Sequence, residues 1–360
     1  MFIHDVSRAL KYVPRHKAVF LVGPPGIGKT SVVHQLVQDD NEPLYEDSLV
    51  SALPEDIRGL PDFDRENDLT RWRPPEWFRR FSYNLITEKP DGNTRGTIFL
   101  DELPSAPPTV QVCAQKICQE RQIGMYRLHP NIRVIVAGNR KEDKALVSDM
   151  PAPLRTKIVW INCEPHLGAR FPEEPKGWIQ TFAIPHEIHD HVIQFLRFKP
   201  EYFCDSDAKK FKQSAPNPRT WETASDILRM DPPEEFEREL IQGTIGEGPA
   251  HEFFEYRKIY SHIPTVEDIK QKKSGAPLEK DPSFMYAVSG MMLSYSKGAD
   301  VNTLDAFLDY FQRANQEFKM MFLSDLAANP KIVEKLTKCK TFKESYTGLI
   351  DEMLSFSEGE

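Results

Sequence analysis

Two rhythms of apolar residues divide the chain near residue 165. Before that point, short apolar runs recur at intervals: KAVFLV (17–22), PLYEDSLV (43–50), TIFL (97–100), IRVIVAG (132–138) and KIVWIN (157–162). Several are continuous rather than alternating, as expected of strands covered on both faces. Helical spacing in 30–38 and 107–120 fills the gaps between them. This alternation predicts a three-layer α/β domain with a parallel sheet over residues 1–165. Beyond it the strand signals stop. GWIQTFAI, HEIHDHVIQFLRF, PRTWETASDILRM and EEFERELIQGTIG carry apolar residues at helical spacing, which predicts an all-helical domain over 166–262. Proline and charge accumulate over 263–283, the composition of a linker. MYAVSGMMLSY, TLDAFLDYFQRANQEFKMMFLSDLA and SYTGLIDEMLSF then predict a helical C-terminal extension over 284–360.

Composition narrows the function. The 360 residues carry a formal net charge of -8, which disfavours a broad basic surface for nucleic acid. No apolar run reaches membrane-spanning length, and the first residues lack the apolar core of a signal peptide. A cytoplasmic protein without membrane insertion is expected. Cys113, Cys118, Cys163, Cys204 and Cys339 form no C-x-x-C pair and are expected to be reduced thiols rather than a metal or redox site. HEIHDH (186–191) nearly reads as a zinc motif, but Asp190 stands where the second histidine belongs, and His186 and His189 alone make a poor zinc site.

The stretch LVGPPGIGKTS (21–31) changes the picture. Gly23, Gly28, Lys29 and Thr30 fit G-x-x-x-x-G-K-[ST], after an apolar strand and before a helix, the context the motif requires. Glycines let the loop Gly23, Pro24, Pro25, Gly26, Ile27, Gly28, Lys29, Thr30 and Ser31 curl so that backbone N–H groups face phosphate oxygens, and the helix adds its dipole. Lys29 is expected to reach the β/γ-phosphates, and the Thr30 hydroxyl to ligate Mg²⁺. TIFLDE (97–102) ends in two acids at the carboxyl end of a strand, the edge where parallel sheets bind ligands. Asp101 is expected to hold Mg²⁺ and Glu102 to polarise the attacking water. DIRG (56–59) matches a GTPase fragment, but it follows no apolar strand, and NRKE (139–142) misses the guanine-reading motif. The nucleotide is therefore read as ATP.

GPPGIGKT, TIFLDELPSAPPTVQ and RVIVAGNR, followed by a helical region with NPRTWE, resemble AAA+ ATPases. EDIRGLP (55–61), ERQIGMYRLHPNIRVIVAGNR (120–140), MPAPLR (150–155) and IGEGPAHEFF (245–254) are similar to the MoxR branch. The resemblance covers about residues 1–260 and implies further roles. Asn139 matches the sensor that reads the γ-phosphate, on a strand between the phosphate-loop strand and the acid-bearing strand. Arg219 in NPRTWE matches the sensor arginine of the helical lid. A trans-acting arginine is expected from MPAPLRTKIVW: Arg155, or Lys157 at the position where relatives carry arginine, lysine lacking the bidentate fork. The implied activity is ATP hydrolysis in a homo-oligomeric, hexameric ring that remodels or activates a protein client, chaperone-like, with von Willebrand factor A domain proteins as associated clients.

Two constellations remain. RWRPPEWFRR (71–80) mixes arginine with aromatics, which suits structural packing and subunit contact, a client, or bases. Met285, Met291, Met292, Phe307, Phe311, Met320, Met321 and Phe322 in the extension suit a packed core better than a partner face. The competing functions are a DNA-acting AAA+ protein such as a helicase loader or restriction motor, which the acidic balance disfavours, and a small-molecule kinase, which would not need sensor-like Asn139 and Arg219. A non-catalytic scaffold is disfavoured by the presence of both Lys29 and Glu102.

Overall fold

The computed structural model describes residues 1–87, 92–140, 157–168, 176–205, 214–259, 262–272 and 275–346. The chain divides into two compact units after Pro165.

The first unit is built on strands β1 (Val19–Val22), β2 (Leu44–Ser48), β6 (Gly96–Asp101), β9 (Ile132–Gly138) and β10 (Val159–Asn162). They form one parallel sheet in the order β10-β1-β9-β6-β2. Its three central strands are buried along almost their whole length, which is why their sequences read as unbroken apolar runs. Successive side chains point to opposite faces. Phe20, Ile98, Leu100, Val134 and Val136 share one core with Val110, Ala114 and Ile117 of helix α5 (Pro108–Glu120). The alternate residues Val19, Leu21, Phe99 and Ile135 are equally buried. Helix α2 (Lys29–Asp40) packs on β6 and against α1 (Val6–Leu10). The result is the three-layer α/β arrangement that the sequence predicts.

An ion cluster closes the amino-terminal edge of this sheet. Glu42, just ahead of β2, accepts from Thr97 of β6 (2.6 Å) and pairs with Arg15 (2.7 Å), Arg95 (3.2 Å) and Arg133 of β9 (3.3 Å). Asp40, the last residue of α2, joins Arg15 at 2.9 Å. Glu42 and Arg133 are buried.

Two smaller sheets decorate the unit. Strands β3 (Leu60–Asp64) and β4 (Leu69–Arg73) form an antiparallel hairpin between helices α3 (Pro54–Arg58) and α4 (Glu76–Arg79). Strands β5 (Ser82–Asn84), β7 (Gln122–Ile123) and β8 (Tyr126–Leu128) form a three-stranded sheet in the order β5-β8-β7. The aromatic and basic stretch 71–80 runs through this region. Trp77 is buried, stacks on Tyr45 (centroids 4.5 Å apart, rings 6° from parallel) and donates to the Asp56 carbonyl at 3.0 Å. Trp72 lies beneath Arg58, 3.9 Å from guanidinium carbon to ring centre. Arg71, Arg73 and Arg80 pair with Asp64, Asp62 and Glu76. These groups are engaged in packing and ion pairs within the unit.

The second unit is helical in its described residues. Helices α6 (Asp190–Phe198), α7 (Pro218–Arg229), α8 (Glu234–Ile245) and α9 (Glu247–Lys258) surround Phe195, Trp221 and Phe253. Within 263–283, read from sequence as a linker, helix α10 (Val266–Lys272) buries Val266 and Ile269 in the same core as the helices that follow. Its apolar residues fall one turn apart, a signal that the surrounding Pro and Lys obscure. Helices α11 (Pro282–Ser296), α12 (Val301–Phe311), α13 (Gln316–Ala327), α14 (Pro330–Leu336) and α15 (Lys340–Ser345) complete the unit. Asp281, Asp300, Asn315 and Asn329 cap the first four, each accepting a backbone N–H of the first turn. Of the eight Met and Phe residues named from the sequence, Met291 is half-buried and the other seven are buried. The extension and the preceding helices share this unit: α11 packs on α6, and Arg197 of α6 grips Asp325 of α13 with both guanidinium nitrogens, one at 2.7 Å, with both side chains buried. Among the described residues, no helix is long and apolar enough to cross a membrane.

Candidate nucleotide site

The site forms where β1, β9 and β6 end side by side. The loop of residues 23–31 leaves β1, and α2 begins at Lys29 with Gly28 as its N-cap. Gly28 has φ +99°, a conformation that L side chains rarely adopt. Gly23 is required for a different reason. A Cβ there would lie 2.4 Å from the Cys163 carbonyl oxygen. Its N–H donates to the Gly138 carbonyl at the end of β9 (3.3 Å). The loop is thereby clamped to both neighbouring strands.

Lys29 is buried and folded back on its own loop. Its ammonium donates to the Gly23 and Pro24 carbonyls, each at 2.8 Å, and to Asn139 Oδ1 at 3.0 Å. Three acceptors satisfy its three protons, as a buried cation requires. The Thr30 hydroxyl donates to Asp101 Oδ2 at 3.1 Å, and the other Asp101 oxygen accepts the Glu102 N–H at 2.7 Å. Lys29, Thr30, Asp101 and Asn139 are thus brought together, with Glu102 adjoining. The strand order places Asn139 just past the end of β9, which lies between the strands carrying the loop and the acids.

Glu102 has φ +58°, unusual for a residue with a side chain. Its carboxylate is exposed and accepts from Ser48 Oγ at 2.7 Å. Ser48 ends β2, opposite Asp101 in the parallel register. Sequence reasoning missed Ser48, because a serine closing a half-polar edge strand carries no signal of its own. It also missed Arg140, which donates to the Cys163 carbonyl at 3.1 Å and pairs with Glu164. Cys163 lies below the loop, and burial pushes its thiol up to about 11, with Lys29 opposing the shift.

The other sequence candidates fall on other segments of the chain. Arg219 lies in the second unit, exposed, in the first turn of α7. There Asn217 accepts the Thr220 N–H (3.1 Å) and donates its own N–H to Thr220 Oγ1 (2.8 Å). Arg155 lies outside the described residues. Lys157 is exposed, with Nζ 3.5 Å from Gln119 Oε1. Asp56 of the DIRG fragment caps α3 by accepting the Leu53 N–H at 2.8 Å. In HEIHDH, His189 is the N-cap of α6, and no cluster of metal-ligating side chains occurs among the described residues. All five cysteines are free thiols.

Comparison with solved structures finds distant likenesses. A point mutant of RuvB from Thermotoga maritima is 14% identical, with 89% of this chain and 86% of that chain covered and a TM-score of 0.36. NtrX from Brucella abortus is 14% identical over 72% of this chain and 61% of that one, with a TM-score of 0.33. A protein from Cytophaga hutchinsonii is 10% identical over 99% and 88%, with a TM-score of 0.32. No curated protein matches the sequence. The stretch from the first sheet strand to the start of the last is a different matter: residues 18–157 match the family model of the AAA domain, dynein-related subfamily.

Proposed function

We propose that the chain is a MoxR-type AAA+ ATPase that hydrolyses ATP with Mg²⁺ in a hexameric homo-oligomeric ring and uses the cycle to remodel or activate a protein client. The observation that carries this reading is the meeting of Lys29, Thr30, Asp101 and Asn139, with Glu102 adjoining, at one edge of a parallel sheet.

The residues fit the ligands. The Thr30 hydroxyl and the Asp101 carboxylate are hard oxygen donors 3.1 Å apart and would hold Mg²⁺, which when bound neutralises charge on the β- and γ-phosphates. The backbone N–H groups of the loop that remain available wrap the phosphates. Lys29 exchanges the Gly23 and Pro24 carbonyls for phosphate oxygens, a move its flexible stem permits. Asn139 turns its amide to the γ-phosphate. Glu102, once released by Ser48, polarises the attacking water. In this reading residues 166–262 form the lid carrying the sensor Arg219, 263–283 connect it to the extension 284–360, and Arg155, or Lys157 in its place, acts on the neighbouring subunit's nucleotide. The protein would work in the cytoplasm. A von Willebrand factor A domain protein is the client that the resemblance supplies, and the acidic balance argues against DNA.

The test is Glu102→Gln. It is expected to keep ATP affinity within about twofold and to lower phosphate release at least ~100-fold. Affinity capture with this variant held in ATP is expected to recover a ring with its client. Undiminished turnover removes Glu102 as the base, and stimulation of turnover by DNA but by no protein favours a DNA-acting motor.

A further inference from the structure

Asn139 is fixed from two directions. Lys29 donates to its side chain at 3.0 Å. Its chain neighbour, Arg140, reaches to the segment that leaves β10, where one guanidinium nitrogen donates to the Cys163 carbonyl at 3.1 Å and pairs with the Glu164 carboxylate. That segment is itself anchored. The Cys163 N–H donates to the Val22 carbonyl at 2.7 Å, and the Cys163 carbonyl is the group that leaves no room for a Cβ at Gly23. The Glu164 carbonyl accepts the Ile3 N–H at 3.0 Å. Glu164 is also the residue before Pro165, where the first unit ends. The phosphate loop, the guanidinium beside Asn139 and the exit toward the second unit therefore meet at the Cys163 carbonyl.

We propose that Arg140 is a positioning residue, resting on the ATPase reading above. It sets the Asn139 amide against the γ-phosphate and carries the displacement of that turn to residues 163–164, at the entrance to the second unit. A guanidinium suits the task. It is planar and serves a carbonyl and a carboxylate together, whereas an ammonium is a point charge on a loose stem. A purely structural role is a poor alternative. The two side chains retain 24% and 46% of their exposure, and ion pairs so open to water add little to stability.

The full-length chain with Arg140→Ala, Arg140→Lys and the exchange Arg140→Glu with Glu164→Arg tests this. Readouts are kcat and KM for phosphate release, ATP affinity, the thermal midpoint, and amide exchange after residue 163 with ADP against a non-hydrolysable ATP analogue. Arg140→Ala is expected to lower kcat about tenfold with ATP affinity unchanged, to leave the midpoint unmoved, and to erase the nucleotide-dependent exchange difference. Arg140→Lys is expected to restore part of kcat, and the exchange variant more. A wild-type kcat and exchange pattern in Arg140→Ala overturns the proposal, as does a kcat loss matched by a fall in midpoint. Should wild-type protein bind but never hydrolyse ATP, the ATPase reading fails first and takes this one with it.

Discussion

Gly23 offers a measurement that separates close packing from loop flexibility. In Gly23→Ala the new Cβ would lie 2.4 Å from the Cys163 oxygen, 3.2 Å from its carbonyl carbon and 3.0 Å from Ile27 Cδ1. The first distance is ~1 Å short of ordinary contact. The obstacle is backbone, pinned by its own hydrogen bond to Val22, so the phosphate loop has to give way. Overpacking of this kind costs roughly 1–3 kcal/mol, which for a unit of this size lowers the thermal midpoint by several degrees. The larger effect falls on ligand binding. Moving the loop ~1 Å misaims every amide of the cradle, an error worth about 100-fold. Gly28→Ala is the control: its Cβ meets nothing within 4 Å, and the strain of φ +99° costs ~1–2 kcal/mol locally. Titration with a fluorescent ATP analogue, beside thermal melts, is expected to show Gly23→Ala losing affinity about 100-fold and Gly28→Ala about tenfold. Wild-type affinity in Gly23→Ala would show that the Cys163 carbonyl does not hold the loop, and the clamp argument would fail.

Other expectations follow from particular contacts. Ser48→Ala frees the Glu102 carboxylate and is expected to raise basal ATP turnover a few-fold, the worth of one ordinary solvent-exposed hydrogen bond; lower turnover would mean that Ser48 aims Glu102 rather than restrains it. Burial, aided by Arg257, Arg229 and Lys297, holds His189 down to about 4, and burial with His189 and Arg257 holds His191 to about 3. Both folded values lie below the unfolded 6.5, so the unfolded chain takes up protons first and stability falls as pH drops from about 6.5 toward 4, by about 3 kcal/mol for His189 alone. Denaturant melts between pH 7.5 and 4.5 check this against His189→Asn, which keeps a cap acceptor and should lose less. Arg197→Met strands Asp325 in the core and is expected to cost about 3–5 kcal/mol, most of it recovered by adding Asp325→Leu; equal urea midpoints for the single and double variants would contradict that reading.

Strand positions were legible wherever a strand is buried on both faces, because such segments tolerate little but apolar residues. Strand β1 falls inside its predicted run, β9 coincides with its own, and β6 extends one residue beyond 97–100 at each end; the glycine spacing marked the loop after β1. The hairpin β3–β4 was not legible. Leu60, Phe63 and Leu69 are exposed there, so no apolar alternation marks it. Helix α10 was hidden by the surrounding Pro and Lys residues. In the site, the meeting of Lys29, Thr30 and Asp101 could be anticipated because the motif that a phosphate and metal site would require fixes their type and spacing. Ser48 and Arg140 act through geometry that spans 54 and 24 positions of sequence, and no local pattern encodes it.

The ion cluster around Glu42 and Arg133 gives the sheet a pivot. Parallel strands all begin at the edge it binds and all end at the edge that carries the candidate site. Strand β9 spans about 20 Å from the end at the ion cluster to the end beside Asn139. A tilt of ~3° about the pinned end sweeps the far end through ~1 Å, the difference between a made and a broken hydrogen bond. Small changes in strand angle are therefore amplified where Asn139 and Asp101 stand and vanish where Arg133 and Thr97 stand.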